Sequence, residues 1–196
     1  MFSEPFGVPP HSKTLYSARV NKRQPSIPAI WIVSDARNDA GLERALRLCG
    51  RGLIFRHYHL PPDERRGRFR QLARLASVAV LSGTAKEARQ WRAQGCYGPA
   101  ALLARGPALL RLMTAHSLRD LSKARRARAD AVLLSPVFST RSHASAKTLG
   151  PARFRLIAAH SPVLVIALGG MDARRARGLK WERWAAIDAF AKPGDS

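Results

Sequence analysis

The sequence predicts an α/β fold, a compact (βα)8 TIM barrel in a single domain, and three observations carry that expectation. Short apolar runs alternate with amphipathic or capped segments from Ala29 almost to the end of the chain. The runs are apolar throughout rather than at every second residue, the pattern of parallel strands buried on both faces. Eight such runs occur, and eight βα units close a barrel. An open doubly wound sheet is the alternative that the same pattern allows. At 196 residues one domain with a substantial core is expected, with residues 29–190 forming a barrel below the usual ~250 residues.

Residues 1–28 carry Pro at positions 5, 9, 10, 25 and 28 and no sustained period, so they are expected to form a flexible tail. Translation starting near Val20 is a linked expectation, which an intact mass including Met1–Arg19 would exclude. The units then follow in order, as strand and helix: 30–34 and 39–48, 53–58 and 63–76, 78–81 and 84–94. Phe69, Leu72, Ala73 and Ala76 share one face of the second helix. Thr84 and Glu87 open the third as a T-x-x-E capping box, and Gly95 is expected to end it. A very short strand at 96–98 with a stunted helix at 100–104 comes next, then 110–114 and 117–128 with Ser117 as N-cap. Strand 131–134 leads through a polar, basic loop to a helix at 151–160 with Pro in its first turn. The last pieces are strand 163–168, helix 172–179 and strand 185–188, with 191–196 a short C-terminal tail.

The formal charge is +21. Basic residues are spread over nearly every helix-like segment, and aromatics do not interleave with them as base-stacking platforms would require. This argues against nucleic acid as the main partner, while an anionic small ligand gains encounter rate in such a field. Cys49 and Cys96 fit neither a metal spacing nor a disulfide framework, which makes a reduced cytoplasmic setting the expectation. No run approaches the ~20 apolar residues of a membrane span, and no signal-peptide core opens the chain.

Ligands collect at the carboxyl ends of strands in either architecture, so the residues after each run are the candidates. They include Asp35, Arg56, Tyr58, Ser82, Tyr97, His116, Ser135, Ser139, Thr140, Arg141, Gly169, Gly170 and Asp188. Two hydroxyls and a guanidinium in Ser139-Thr140-Arg141 can donate to phosphate oxygens, Arg through two parallel bonds. Gly169-Gly170 lets the backbone approach an anion, or is simply a turn. Ile54, Arg56 and Tyr58 would share one strand face, and an Arg inside an apolar strand is costly unless it faces a polar mouth. His116 is a candidate acid or base, or a histidine hydrogen-bonded at a helix N-terminus. His57, His59 and His143 read as surface-loop histidines. Metal binding finds little support, since Glu87 is the single carboxylate between Val78 and Gly106.

The phrase A-D-A-V-L-L-S-P-V-F-S-T-R-S-H at 129–143, with L-G at 149–150 and P-V-L-V-I-A-L-G-G-M at 162–171, resembles the thiamine phosphate synthase/TenI family. That family carries GADYV-x-x-GPVFPT[KT]…LG followed by PV-x-AIGGI. T-A-H-S-L-R-D-L at 114–121 is similar to its S-x-H-S-x-E-E, I-F-R-H-Y at 54–58 to its Q-L-R-E-K, and V-S-D-A-R at 33–37 to its I-T-D-R. The likeness spans roughly residues 29–190, specific in the second half and faint in the first. It implies a (βα)8 barrel and thiamine biosynthesis. Synthases of this family couple an aminopyrimidine diphosphate to a thiazole phosphate with release of pyrophosphate, commonly with Mg²⁺. By position, Arg56, Thr140 and Arg141 would contact diphosphate, with Tyr58 and Ser139 beside them, and Gly169-Gly170 the thiazole phosphate. His116 matches the histidine that moves a proton in TenI-type thiazole tautomerases. The family's two Mg²⁺-binding aspartates are replaced around Ser82-Gly83 and Cys96-Tyr97-Gly98-Pro99. A synthase, a tautomerase using His116 and a non-catalytic protein binding phosphate ligands or nucleic acid are therefore three readings to separate. Oligomeric state cannot be read from the sequence.

Overall fold

The computed structural model describes residues 26–48, 50–140 and 147–190. Residues 1–25 of the expected N-terminal tail, the expected C-terminal tail, Cys49, Arg141 and His143 lie outside these residues, while Ile27 and Pro28 accept hydrogen bonds from Arg183 and Trp31. Eight parallel strands close into a barrel in chain order: β1 (Ile30–Val33), β2 (Arg51–Phe55), β3 (Val78–Ser82), β4 (Gly95–Gly98), β5 (Leu110–Ala115), β6 (Ala131–Leu134), β7 (Leu164–Leu168) and β8 (Trp184–Ala186). Ile30 pairs with both Arg51 of β2 and Trp184 of β8, which closes the ring. The connecting helices are α1 (Asp39–Leu46), α2 (Pro62–Ala73), α3 (Ala85–Gln90), α4 (Ala100–Leu103), α5 (Leu118–Leu121), α6 (Gly150–Ala159) and α7 (Ala173–Leu179). No helix among the described residues is long and apolar enough to cross a membrane.

Strand alternation divides the core into two layers. Trp31, Val33, Ile54, Val80, Tyr97, Leu112, Leu133 and Ile166 fill the barrel interior. Ile32, Leu53, Phe55, Leu81, Met113, Val132 and Leu134 face outward against Leu42, Leu72, Leu103, Phe154 and Leu179 of the helices. Trp31 blocks the lower interior and donates its indole N–H to Pro28 O at 2.9 Å. Gly52 makes room for it, since a Cβ there would lie 2.5 Å from the ring. Asn38, 1% exposed, donates to Val33 O and Ile187 O and so ties the ends of β1 and β8 together.

The structure moves several expected boundaries: α2 ends at Ala73, which leaves Ala76 outside the helix, β8 runs Trp184–Ala186 with Asp188 in a 3-10 turn, and three further shifts lie nearer the strand ends. β2 runs Arg51–Phe55 rather than 53–58: Ser34 Oγ takes the Arg56 N–H, and His57 turns to φ 33°. Ile54, Arg56 and Tyr58 therefore do not share a strand face, and Tyr58 stands exposed. α3 stops at Gln90, Arg92 takes a left-handed φ of 59°, and Gly95 belongs to β4, where a Cβ would crowd Leu110 and Val80 at 2.8 Å. α5 is four residues long, because the chain beyond it tightens into i→i+3 bonds such as Lys123 N to Asp120 O.

Candidate functional site

The carboxyl ends of all eight strands open at one mouth, and its β5–β7 side is built largely from backbone. Val137 N donates to Leu168 O at 2.9 Å and Phe138 N to Gly169 O at 3.0 Å, which fastens the loop after β6 to the end of β7. Gly169 (φ 96°) and Gly170 (φ 60°) are left-handed. A Cβ on Gly169 would lie 2.7 Å from Pro136 Cα, and one on Gly170 2.5 Å from Ser139 O. The pair is thus required by packing whatever it also binds. Ser139 is exposed beside it and Thr140 is half-buried. Arg175 of α7 donates to Gly170 O and lies over the Phe138 ring at 5.1 Å. Asp172 caps α7 by accepting Arg175 N at 2.7 Å.

His116 follows β5. Its Nδ1 lies 2.8 Å from Ser135 O, and a carbonyl can only accept, so Nδ1 carries the proton and neutral His116 keeps its lone pair on Nε2. Nε2 has no partner among the described residues, and the imidazole is exposed at the mouth. The backbone N of His116 donates to Asp120 Oδ2 at 3.1 Å, and Ser117 Oγ donates to the same oxygen at 3.0 Å. The residue thus sits at a capped helix start, with its ring exposed at the end of β5. Burial would raise the Asp120 pKa, but the contacts with Lys123, the His116 amide and Ser117 outweigh it and hold the carboxylate below its usual range.

The β1–β4 side is built from side chains. Asp35 caps the 3-10 turn Ala36–Asn38, pairs with Arg37 at 2.8 Å and lies 3.9 Å from Arg56. The hydrogen bond from Arg37 holds its pKa below the usual value, against the effect of burial. Asp188 of the β8 end pairs with the same Arg37 at 3.5 Å. Arg56 projects its guanidinium over the Tyr58 ring at 5.8 Å, and Tyr58 Oη and Ser82 Oγ bond to each other. Arg65 reaches in from α2, donating to Arg56 O at 3.1 Å and Ser82 O at 3.2 Å and pairing with Glu87 at 3.4 Å. Thr84 Oγ1 accepts Glu87 N, but the Glu87 carboxylate goes to Arg65, so half the expected capping box is made. Tyr97 points into the barrel interior beneath this group.

His57 is not a surface residue. It is 1% exposed, stacked on Phe55 at 4.8 Å, with Nδ1 2.8 Å from Ser34 Oγ and Nε2 2.8 Å from Asp39 Oδ1. Arg68 clamps Asp39 at 2.9 Å and Glu43 at 2.7 Å. Burial lowers the His57 pKa, with Asp39 opposing. Its partners lie 23 and 18 residues away in sequence, and no local pattern announces them.

The residues present do not fit a Mg²⁺ site at β3 and β4. Among the described residues no group of three or more His, Cys, Asp or Glu is placed to hold a metal. The carboxylate nearest the β3 end, Glu87, is engaged by a guanidinium, and the β4 end offers a tyrosine between Cys96 and Gly98. Sequence reasoning also passed over Arg65, which looks like every other arginine of a four-arginine helix. Outside the barrel, a cavity of about 580 Å³ is lined by Arg66, Arg70, Arg74, Arg92 and Trp91. It places an aromatic among arginines, contrary to the sequence pattern, but Trp91 already packs against Arg65 at 5.0 Å and Phe69 at 5.7 Å.

Residues 106–189, from just before β5 to the end of the barrel, match the family model described as thiamine monophosphate synthase. No curated protein matches the chain. Among solved structures the fold is similar to thiamine phosphate pyrophosphorylase from Pyrococcus furiosus, with 22% identity, TM-score 0.71, and 85% of this chain and 88% of that one covered. It is also similar to the Thermotoga maritima FabK M276A mutant, with 18% identity, TM-score 0.65, and 84% and 62% covered. Thiamine phosphate pyrophosphorylase from Bacteroides thetaiotaomicron follows with 14% identity, TM-score 0.52, and 82% of each chain covered. The chain is a TIM barrel related to the thiamine phosphate synthase superfamily, with the sequence signal confined to its second half.

Proposed function

We propose that the protein is a thiamine-biosynthesis enzyme that binds a thiazole phosphate at the barrel mouth and moves a proton on the thiazole ring. The observation that carries this reading is the His116 tautomer: Ser135 O holds the Nδ1 proton, which leaves Nε2 as a lone-pair base at the mouth. A proton taken by Nε2 from one carbon of the non-aromatic tautomer is returned to another as the ring becomes aromatic. The step balances with no co-reactant and no metal. Ser139, Thr140, Arg141 and Gly169-Gly170 would hold the phosphate. In the test, His116→Ala is expected to lower the rate of thiazole aromatisation by at least about 100-fold, the usual scale of a general base. An unchanged rate would remove His116 from the chemistry.

A second reading, coupling to an aminopyrimidine diphosphate in the manner of a synthase, is favoured by the family model over residues 106–189 and by Arg56 at the mouth. Incubation with both substrates and Mg²⁺ separates the two readings. Thiamine phosphate formation, or rescue of a thiamine auxotroph lacking the synthase, supports coupling, and none at high protein concentration eliminates it.

A further inference from the structure

The arginines of α2 fall into two sets. Arg65 and Arg68 are committed to the carboxylates of Glu87, Asp39 and Glu43. Arg66 and Arg70, with Arg74 at the C-cap, stand four residues apart on the exposed side, a row of about 12 Å. Opposite them, the left-handed turn that follows α3 sets Arg92 (φ 59°) beside Trp91. These residues line the groove of about 580 Å³ on the outer wall of the barrel, and no acidic residue shares that lining. Arg66 donates to Gln90 O at 3.3 Å, and none of the four guanidiniums pairs with a carboxylate among the described residues. Like charges at i and i+4 destabilise a helix, so the row weakens α2 and finds no compensating partner inside the fold. A local rule broken in this way marks a place where an anion arrives from outside.

The chemistry of the groove selects the occupant. A second copy of this chain, also at +21, is repelled. All four cations are arginines, whose planar forks take phosphate through two parallel bonds and lie flat on aromatic rings. The row is longer than the phosphate chain of one nucleotide, so it suits successive phosphates of a strand. Arg65 at 5.0 Å and Phe69 at 5.7 Å hold the half-buried indole of Trp91 in place, and its uncovered part lines the groove. A fixed aromatic beside a basic track is how single strands are held without regard to sequence. A concave groove also presents no projecting element to enter a duplex. We propose that this outer groove binds single-stranded nucleic acid, with phosphates along Arg66, Arg70 and Arg74 and a base against Trp91. The row and the indole are far apart in the chain, so folding alone creates the alternation of aromatic and basic groups. The groove lies on the barrel wall and is independent of the chemistry at the mouth.

Fluorescence anisotropy over a range of salt, with a labelled mixed-sequence strand of about 12 nucleotides as DNA and as RNA, tests it. Changing Arg66, Arg70 and Arg74 together to Gln is expected to weaken binding about 100-fold near 0.1 M salt. The same triple should flatten the slope of log K against log salt by about 2, as three lost phosphate contacts would. Removing equal charge elsewhere, with Arg125, Arg126 and Arg174 changed to Gln, should leave affinity within about 3-fold, because distant exposed charges are screened. The groove triple should melt no lower than the parent, since it relieves like-charge neighbours, so lost binding is not lost folding. Trp91→Phe keeps a ring against Phe69 and should weaken binding about 10-fold while abolishing the quenching of tryptophan emission by the strand. Equal losses in the two triples would reduce the binding to undirected charge and overturn the proposal. No binding in the parent would overturn it too, as would a duplex or polyglutamate of matched charge binding as tightly as the strand. Thiazole turnover should be unchanged in the groove triple, so failure here and failure at the mouth are read separately.

Discussion

The two sides of the barrel mouth are made of different material. From β5 to β7 the strand ends are joined mostly by main chain: Val137 to Leu168, Phe138 to Gly169 and Gly150 N to Val137 O at 3.0 Å, with the His116 side chain on Ser135 O the exception. From β1 to β4 they are joined by side chains: Arg37 of the turn after β1 bridges Asp35 and Asp188, Arg65 of α2 reaches two strand-end carbonyls and Glu87, and Arg68 ties α2 to Asp39 and Glu43 of α1. Main-chain joints constrain the sequence tightly, because they demand left-handed glycines and close backbone approach. Side-chain joints can be rebuilt from other residues that deliver the same donors. The sequence match to a family model covers 106–189, whereas the structural match covers 85% of the chain, as this difference in construction would produce.

The sharpest way to break the comparison is at Gly169. Replacing it with Ala puts a Cβ into a left-handed residue, about 1–2 kcal/mol, and against Pro136 Cα at 2.7 Å, about 1–3 kcal/mol more for overpacking. A loss of about 3 kcal/mol in urea unfolding is expected, with weakened thiazole phosphate binding. A loss below about 1 kcal/mol would mean that the loop after β6 yields, and that the β5–β7 side is no more constrained than its opposite.

Arg65 is the corresponding test on the β1–β4 side. Arg65→Met keeps an apolar side chain but removes the guanidinium that lies over the Phe55 and Trp91 rings, and leaves the carbonyls of Arg56 and Ser82 without their donor and Glu87 without its cation. A destabilisation of about 2 kcal/mol is expected from lost charged hydrogen bonds, measured by chemical denaturation. On the coupling reading, pyrophosphate affinity should fall with it, because Arg65 holds the strand end that carries Arg56. The His116-dependent proton transfer should change little. If both activities fall together, the two sides are one cooperative unit and the division fails.

Legibility in the sequence follows the same line. Continuous apolar runs are enough to count eight strands, and β6 falls where its run does, Ala131–Leu134. β2 was misplaced because it opens on Arg51 and Gly52, neither of which looks like a strand. Arg51 is accommodated by Ala45 O and the Phe190 ring, and Gly52 by Trp31. His116, Ser139, Thr140 and the glycine pair can be nominated from the chain because each lies within a short local motif, at 114–121, 129–143 and 162–171. The groove at Trp91 has no such motif, since the α2 arginines meet the indole only once α2 and α3 are packed side by side. His57 was misread for the same reason: in the chain it stands among polar residues, and in the fold it is enclosed.

His57 supplies the smallest expected effect and the one specific to a single side. Burial depresses its folded pKa below 6.5 against the opposing pull of Asp39, so the unfolded chain takes up a proton first as pH falls. Stability contributed by neutral His57 is therefore complete above about pH 6.5 and is lost as pH falls from there through the folded pKa. One proton limits the slope to about 1.4 kcal/mol per pH unit. The depressed carboxylates Asp35, Asp39 and Asp120 act in a separate window, below their ordinary value of 3.8. Unfolding free energies between pH 7 and 5 should thus slope in the parent and flatten in His57→Gln, whatever the absolute stability of that variant. Imidazole NMR of the parent gives an independent reading, in which the His57 signals titrate below pH 6.5. Because Ser34 Oγ holds both His57 Nδ1 and the Arg56 amide, protonation should also weaken pyrophosphate binding at Arg56. A flat stability profile in the parent, with His57 titrating at its ordinary value, would show that the enclosed network does not brace Arg56.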